Sequence, residues 1–283
     1  MYALVRILGN DLWPRHETGQ TLRNLKYILE NEADFDHCTK FFALNKILDS
    51  KKAHDIKKLL DSHGYEYWED HIEWDNLDSD PMGALIGLNA VRNRAIRKYL
   101  DRKFEVVLPL DGNCFFSKQG WSKFESLAYH SPRDGYFAIP MQRCKDYSDL
   151  TKDVDIREAW HSSNSFGRPT RKLDLTEPQL AFTPLSDKLY DESFEYSIAS
   201  KAHLLWKLGI RGVWDEWYPD KRSQCLKDVS KFYGDVRFAG WVYRLPSGID
   251  DAEIDNKIRG KLREQGIRNL IQEARKHAED TSI

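Results

Sequence analysis

The spacing of apolar positions changes repeatedly along the chain, and each change marks an element. Residues 2–8, YALVRIL, form a short run of strand formers, and Gly9, Asn10 and Asp11 follow as loop formers. Between Thr21 and Glu32, Leu22, Leu25, Ile28 and Leu29 recur at helical spacing, and FFALN at 41–45 reads as a second strand. Ala53, Ile56, Leu59 and Leu60 repeat the helical pattern, which Gly64 closes ahead of a third strand, YEYW at 65–68. A helix from about Gly83 to Leu100 and a fully apolar strand, FEVVLPL at 104–110, complete the series. This alternation predicts an α/β fold with a Rossmann-like, doubly wound, mostly parallel sheet. In such sheets ligands bind outside the carboxyl ends of the strands.

Beyond Asn113 the rhythm loosens. A helix over Trp121–His130, a strand YFAIPM at 136–141, a polar loop at 145–172, a short strand QLAF at 179–182 and a helix over Ser200–Leu208 predict an irregular second half. From about Asp251 to Ala278, Ile254, Ile258, Leu262, Ile267, Leu270, Ile271 and Ala274 form an apolar stripe among many Lys and Arg. That is the pattern of a terminal helix packing across the body. The expected organisation is one elaborated domain, its halves at 1–116 and 117–245, with a C-terminal helical extension at 246–283.

Composition narrows the function classes. The chain has 283 residues, with 43 Lys and Arg against 45 Asp and Glu. No global field therefore draws it to nucleic acid or an anionic membrane. The opening MYALVRILGN lacks a signal-peptide pattern, and no stretch approaches the ~18 apolar residues of a span, so a cytoplasmic protein without membrane insertion is expected. Cys38, Cys114, Cys144 and Cys225 lie far apart with no C-x-x-C pair and read as reduced thiols. His16, His37, His54, His63 and His71 lack zinc-site spacing and read mostly as surface residues. The chain has no G-x-S-x-G, P-loop or G-x-G-x-x-G, which argues against α/β-hydrolases, P-loop NTPases and Rossmann dehydrogenases.

The most informative block is GLNAVRNRAIRKYL followed by FEVVLPLDGN. Asn89, Arg92 and Asn93 lie within about one helical turn, and the next strand ends on Asp111-Gly112-Asn113. The triplet alone also reads as a turn, since D-G and G-N are strong turn formers. A helix bearing Asn and Arg, followed by a buried strand that ends in D-x-D or a variant, resembles the nucleotide-sugar-binding half of GT-A glycosyltransferases. The chain is also similar to a bacterial and phage-type group of GT-A-like proteins marked by V-R-I-x-G-N-D-L-x-P-R-H, L-N-[KR]-I, L-P-x-D-G-N and E-P-Q, here spread over residues 5–182.

The resemblance implies a GT-A-like fold in which 1–116 binds the nucleotide sugar and 117–245 faces the acceptor. It implies a divalent cation, Mn²⁺ or Mg²⁺, on Asp111, with Asn113 in place of the usual second aspartate, which lowers the ligand charge. The first strand and its loop, with Arg6, Gly9, Asn10 and Asp11, then cradle the nucleoside, with Asn45 as a second contact and Asn89, Arg92 and Asn93 beside the nucleotide. Lys201 and Arg143 are candidates to meet the diphosphate. The chemistry needs such groups because breaking a sugar–phosphate bond leaves a nucleoside diphosphate whose charge must be neutralised by metal, by Arg or Lys, or by both.

An inverting transferase also needs a carboxylate to take the acceptor's proton. Glu177 is favoured because it leads a short strand on which Gln179 faces the same side. Asp215, between Trp214 and Trp217, is the second choice, with Asp191, Glu192, Glu195 and Glu216 as further candidates. The resulting reading is a glycosyltransferase using a nucleoside-diphosphate sugar, a UDP-sugar foremost, and a glycan, protein or modified nucleobase as acceptor. The alternatives are a nucleotidyltransferase, or a catalytically degenerate GT-A module that binds nucleotide or glycan.

Overall fold

The computed structural model describes residues 1–131, 133–151, 176–193, 199–208, 210, 236–248 and 256–281. The first half alternates β1 (Tyr2–Leu8), α1 (Gln20–Asn31), β2 (Cys38–Asn45), α2 (Ser50–Ser62), β3 (Glu66–Asp70), α3 (Pro81–Leu85), α4 (Leu88–Asp101) and β4 (Val106–Asp111). The four strands are parallel in the order β3-β2-β1-β4. Both faces of β1 are covered, which is why its sequence is a continuous apolar run. On one face Leu8, Phe42 and Leu44 pack with Leu25 of α1 and Ile56 and Leu60 of α2. On the other, Ala3, Val5 and Ile7 meet Val91, Ala95 and Tyr99 of α4.

The stretch expected as one helix from Gly83 to Leu100 is two. Gly87 has φ of 44°, the left-handed region that glycine enters without strain, and it breaks the chain between α3 and α4. Glycine there is also the residue that fits, since a Cβ would lie 3.0 Å from the Gly83 carbonyl oxygen.

The second half contains β5 (Cys114–Phe115), α5 (Lys118–His130), β6 (Tyr136–Arg143), β7 (Thr176–Phe182), α6 (Ala199–Lys207), β8 (Val236–Phe238) and β9 (Val242–Arg244). Strand β7 runs antiparallel between β4 and β6, while β8 and β9 both pair parallel with β6. A single, mostly parallel sheet in the order β3-β2-β1-β4-β7-β6-β9-β5 results, with β8 beside β6. The fold is α/β with a mostly parallel sheet, as the alternation of elements predicts. Most of the polar loop at 145–172 and the segment carrying Asp215 and Glu216 lie outside the described residues, as do Glu195 and Cys225.

Helix α7 (Asn256–Thr281) closes the chain. Its Leu270 and Ala274 are buried against Leu12, Leu77, Leu85 and Ile86, with Ile267 and Ile271 partly covered. Ile254 lies outside the described residues; among those described, Ile258 is 52% exposed and the later part of the predicted stripe packs. Among the described residues no helix is long and apolar enough to cross a membrane. Cys38, Cys114 and Cys144 are free thiols.

Candidate functional site

Asp111 ends β4 opposite Ile7 of β1. The chain then turns so tightly that a Cβ on Gly112 would lie 2.6 Å from the Ile7 carbonyl oxygen and 2.9 Å from Leu8 Cδ2, so only glycine fits. Around Asp111 three side chains converge from three elements. Arg92 Nη2 of α4 donates to Oδ1 at 2.6 Å, and Gln179 Nε2 of β7 and Lys201 Nζ of α6 donate to Oδ2 at 3.1 and 3.2 Å. Arg92 also donates to Asn89 Oδ1 at 3.0 Å and lies 5.2 Å from the centre of the Tyr190 ring. The side chains of Arg92 and Lys201 are 3% and 5% exposed, against 29% for Asp111.

Electrostatics follow from this packing. Burial works against charge on Asp111, but Lys201 and Arg92, with hydrogen bonds from Arg92 and Gln179, outweigh it and hold the carboxyl well below the usual carboxylate range. Burial likewise opposes the charge on Arg92, which Asp111, Tyr190 and Glu177 restore and raise. Asp111 is therefore a fixed anion, suited to accept hydrogen bonds and unsuited to hold a proton. Glu177 is half-buried on β7, close enough for its charge to act on both Arg92 and Tyr190.

The other residues singled out in the sequence have these places. Asn89 donates to the Asp191 carbonyl at 2.7 Å, and Asn93 donates to the Tyr190 carbonyl and Glu192 Oε1 at 2.8 and 2.7 Å, so both pin the 190–192 segment over Arg92. Asn10 joins the loop after β1 to the loop after β2, donating to the Lys46 carbonyl at 2.7 Å and accepting from Leu48 N at 2.9 Å. Asp11 accepts from Gly19 N, Thr21 N and Thr21 Oγ1 at the start of α1, and pairs with Lys52 Nζ at 3.0 Å. Lys52 also reaches the Gly9 carbonyl at 2.9 Å. Burial opposes charge on Asp11, and Lys52 and Thr21 nevertheless pull its carboxyl down. Asn45 donates to the Ile86 carbonyl at 2.7 Å. The backbone carbonyl of Asn113 accepts from Leu245 N at 2.9 Å.

Arg6 does not join the cluster. It is fully buried, donating to Glu32 and to the Cys114 carbonyl, so it ties β1 to the end of α1 inside the molecule. Arg15 stands in the P-R-H of the first motif without a role read for it, and the contacts of Lys52 and Tyr190 carry no motif signal. Lys52 stands on the face of α2 that turns inward, and its position beside Asp11 arises only in the fold.

The donor set around Asp111 does not fit a divalent cation in this arrangement. Mn²⁺ and Mg²⁺ want several hard, anionic or neutral oxygens, whereas both Asp111 oxygens are engaged by Arg92, Lys201 and Gln179. Among the described residues no three His, Cys, Asp or Glu side chains converge on one point. Among the described residues, then, no further carboxylate or imidazole joins Asp111 to hold the cation expected on Asp111 and Asn113.

No family model matches the chain, and no curated protein matches it. Among solved structures it is similar to mouse xyloside xylosyltransferase 1 in its apo form, at 12% identity over 90% of this chain and 99% of that one, with a TM-score of 0.39. S. aureus TarS matches at 8% identity over 91% of this chain and 41% of that one, with a TM-score of 0.46. The 4-diphosphocytidyl-2C-methyl-D-erythritol synthase of Anaerococcus prevotii DSM 20548 matches at 12% identity over 93% and 94%, with a TM-score of 0.36. At such values these likenesses assign no activity to the chain.

Proposed function

We propose that the chain is a glycosyltransferase, moving a sugar from a nucleoside-diphosphate sugar to a hydroxyl acceptor. The observation that supports this is the Asp111 cluster, a partly exposed, ionised carboxylate between Arg92 and Lys201 at the carboxyl end of β4, with Glu177 on the neighbouring strand. In this reading Asp111 accepts hydrogen bonds from donor hydroxyls. Glu177 takes the acceptor's proton as the acceptor oxygen bonds to the anomeric carbon. The sugar–phosphate bond breaks, and its electron pair leaves with the nucleoside diphosphate. The growing charge is met by cationic side chains, among them Arg92 and Lys201, in the role a divalent cation would otherwise fill. UDP is the nucleotide proposed first, and the acceptor class is a glycan, a protein or a modified nucleobase.

The test is incubation with a panel of UDP-, GDP-, CMP- and dTDP-sugars, with Mn²⁺ or with EDTA, reading release of nucleotide. One donor should be consumed, and chelation should leave the rate unchanged. Glu177→Gln should lose ~10²–10⁴-fold in kcat with little change in donor affinity. Release of pyrophosphate from a nucleoside triphosphate, with no sugar nucleotide consumed, would identify a nucleotidyltransferase instead.

A further inference from the structure

Three arginines among the described residues are buried almost completely, Arg6, Arg15 and Arg92. Arg6 pairs with Glu32 and Arg92 with Asp111. Arg15, in the loop between β1 and α1, is 6% exposed and has no carboxylate partner among the described residues. Its Nε is buried and makes no hydrogen bond. A buried guanidinium without a counter-charge is unfavourable by several kcal/mol, so such a residue is expected where a ligand brings the anion.

The surroundings of Arg15 add positive charge. The adjacent His16 feels Arg15, Arg244 and Lys52 as cations and Asp11 as the opposing anion. Burial first, then those cations, push the His16 imidazole down to about 3, so it stays neutral. Its Nδ1 accepts from Leu12 N at 3.1 Å, which places the ring proton on Nε2 as a donor. The nearby anion, Asp11, is already engaged by Lys52 and the first turn of α1. Arg244 ends β9, where the next residue bonds Asn113, and its charge also acts on Cys114 together with Asp111 and Lys201. Because β1 and β4 are parallel neighbours with Ile7 opposite Asp111, the loop after β1 that holds Arg15 and the Asp111 cluster lie at the same edge of the sheet.

From this placement we infer that Arg15 anchors an anion-binding position that takes a phosphoryl group, with Arg244 adding charge and His16 serving as a neutral donor. Under the proposed function, on which only this assignment of the ligand rests, the position holds the donor's diphosphate. Arg92 and Lys201, paired with Asp111, then stand beside the sugar–phosphate bond and meet the charge that grows on the leaving oxygen. The position does not need sugar transfer to exist, since any phosphoryl group of matching charge satisfies Arg15.

Calorimetric titration and thermal unfolding of the full chain with inorganic pyrophosphate, UDP and uridine test this. Wild type should bind pyrophosphate and UDP, and uridine much more weakly. Arg15→Met should weaken pyrophosphate and UDP by about 10- to 100-fold, the range of one charge-assisted contact. Without ligand its melting temperature should be unchanged or higher, because a buried uncompensated charge has gone. Arg15→Lys, which keeps the charge and loses the planar fork, should fall between the two. Wild-type affinity for pyrophosphate in Arg15→Met, or no binding of pyrophosphate and UDP by the wild type, overturns the inference. So does a fall of several degrees in the melting temperature of ligand-free Arg15→Met with pyrophosphate affinity intact. If Arg15→Met fails to fold, the pyrophosphate titration of Arg15→Lys decides. Pyrophosphate binding that depends on Arg15, in a chain that consumes no sugar nucleotide, would remove the glycosyltransferase reading and leave this site standing.

Discussion

Asp111 is the counter-ion of two buried cations, so replacing it reaches further than the loss of one ligand contact. Asp111→Ala leaves Arg92 and Lys201 buried with Gln179 as a neutral neighbour, and should destabilise the fold by about 3–5 kcal/mol, measurable by urea unfolding. His16 gives a separate prediction in pH. Its ordinary value of 6.5 falls to about 3 in the folded chain, so between those values the unfolded chain binds more protons. Stability should therefore decline as pH drops from 6.5 toward 3 and the decline should level off below it; His16→Asn, which can still accept from Leu12 N, should flatten that segment of the profile. Asp111 and Arg92 were legible because a helix-spaced Arg precedes a strand that ends in a carboxylate. The inward turn of Arg6 was not legible, because its partner, Glu32, is 26 residues away and no spacing rule encodes a pair between a strand and the far end of the next helix. Arg15 stands in the P-R-H of the first motif, but its burial without a partner is a property of the folded loop that the motif does not state.

At the level of elements, the end of β4 works as a mould. The Gly112 backbone lies so close to Ile7 and Leu8 that Gly112→Ala should force β4 away from β1, costing about 1–3 kcal/mol, and it should also lower donor affinity through displacement of Asp111. Melting temperature and a donor titration of the same variant check both effects. The long strands and helices of the first half were readable from apolar periodicity, because each buries a regular face. The break at Gly87 was not, since a lone glycine in a helical pattern does not announce a left-handed φ. Strands β5, β8 and β9 are two or three residues long and exist by pairing with β6 or with each other, so no local signal marks them.

Across the whole molecule, the last helix lies against the first loop. Gly266 packs on Leu12, where a Cβ would come within 2.9 Å of the Leu12 carbonyl oxygen, and Asn269 Nδ2 donates to the Trp13 carbonyl at 3.2 Å. Leu270, buried with Leu12 and Leu85, should cost about 2–5 kcal/mol when cut to alanine. Hydrogen exchange in that variant should rise in residues 9–19 before it rises in β1. The contact also orders events in time. A ribosome adds about 5–20 residues per second, so the loop bearing Arg15 leaves the tunnel on the order of ten to fifty seconds before the helix that braces it. During that interval the parallel strands have their own neighbours, and the loop that follows β1 is held through Asn10 and Asp11 but lacks the brace on Leu12 and Trp13. The sheet is expected to form as a scaffold early in synthesis, with ligand recognition arriving only when the final helix docks.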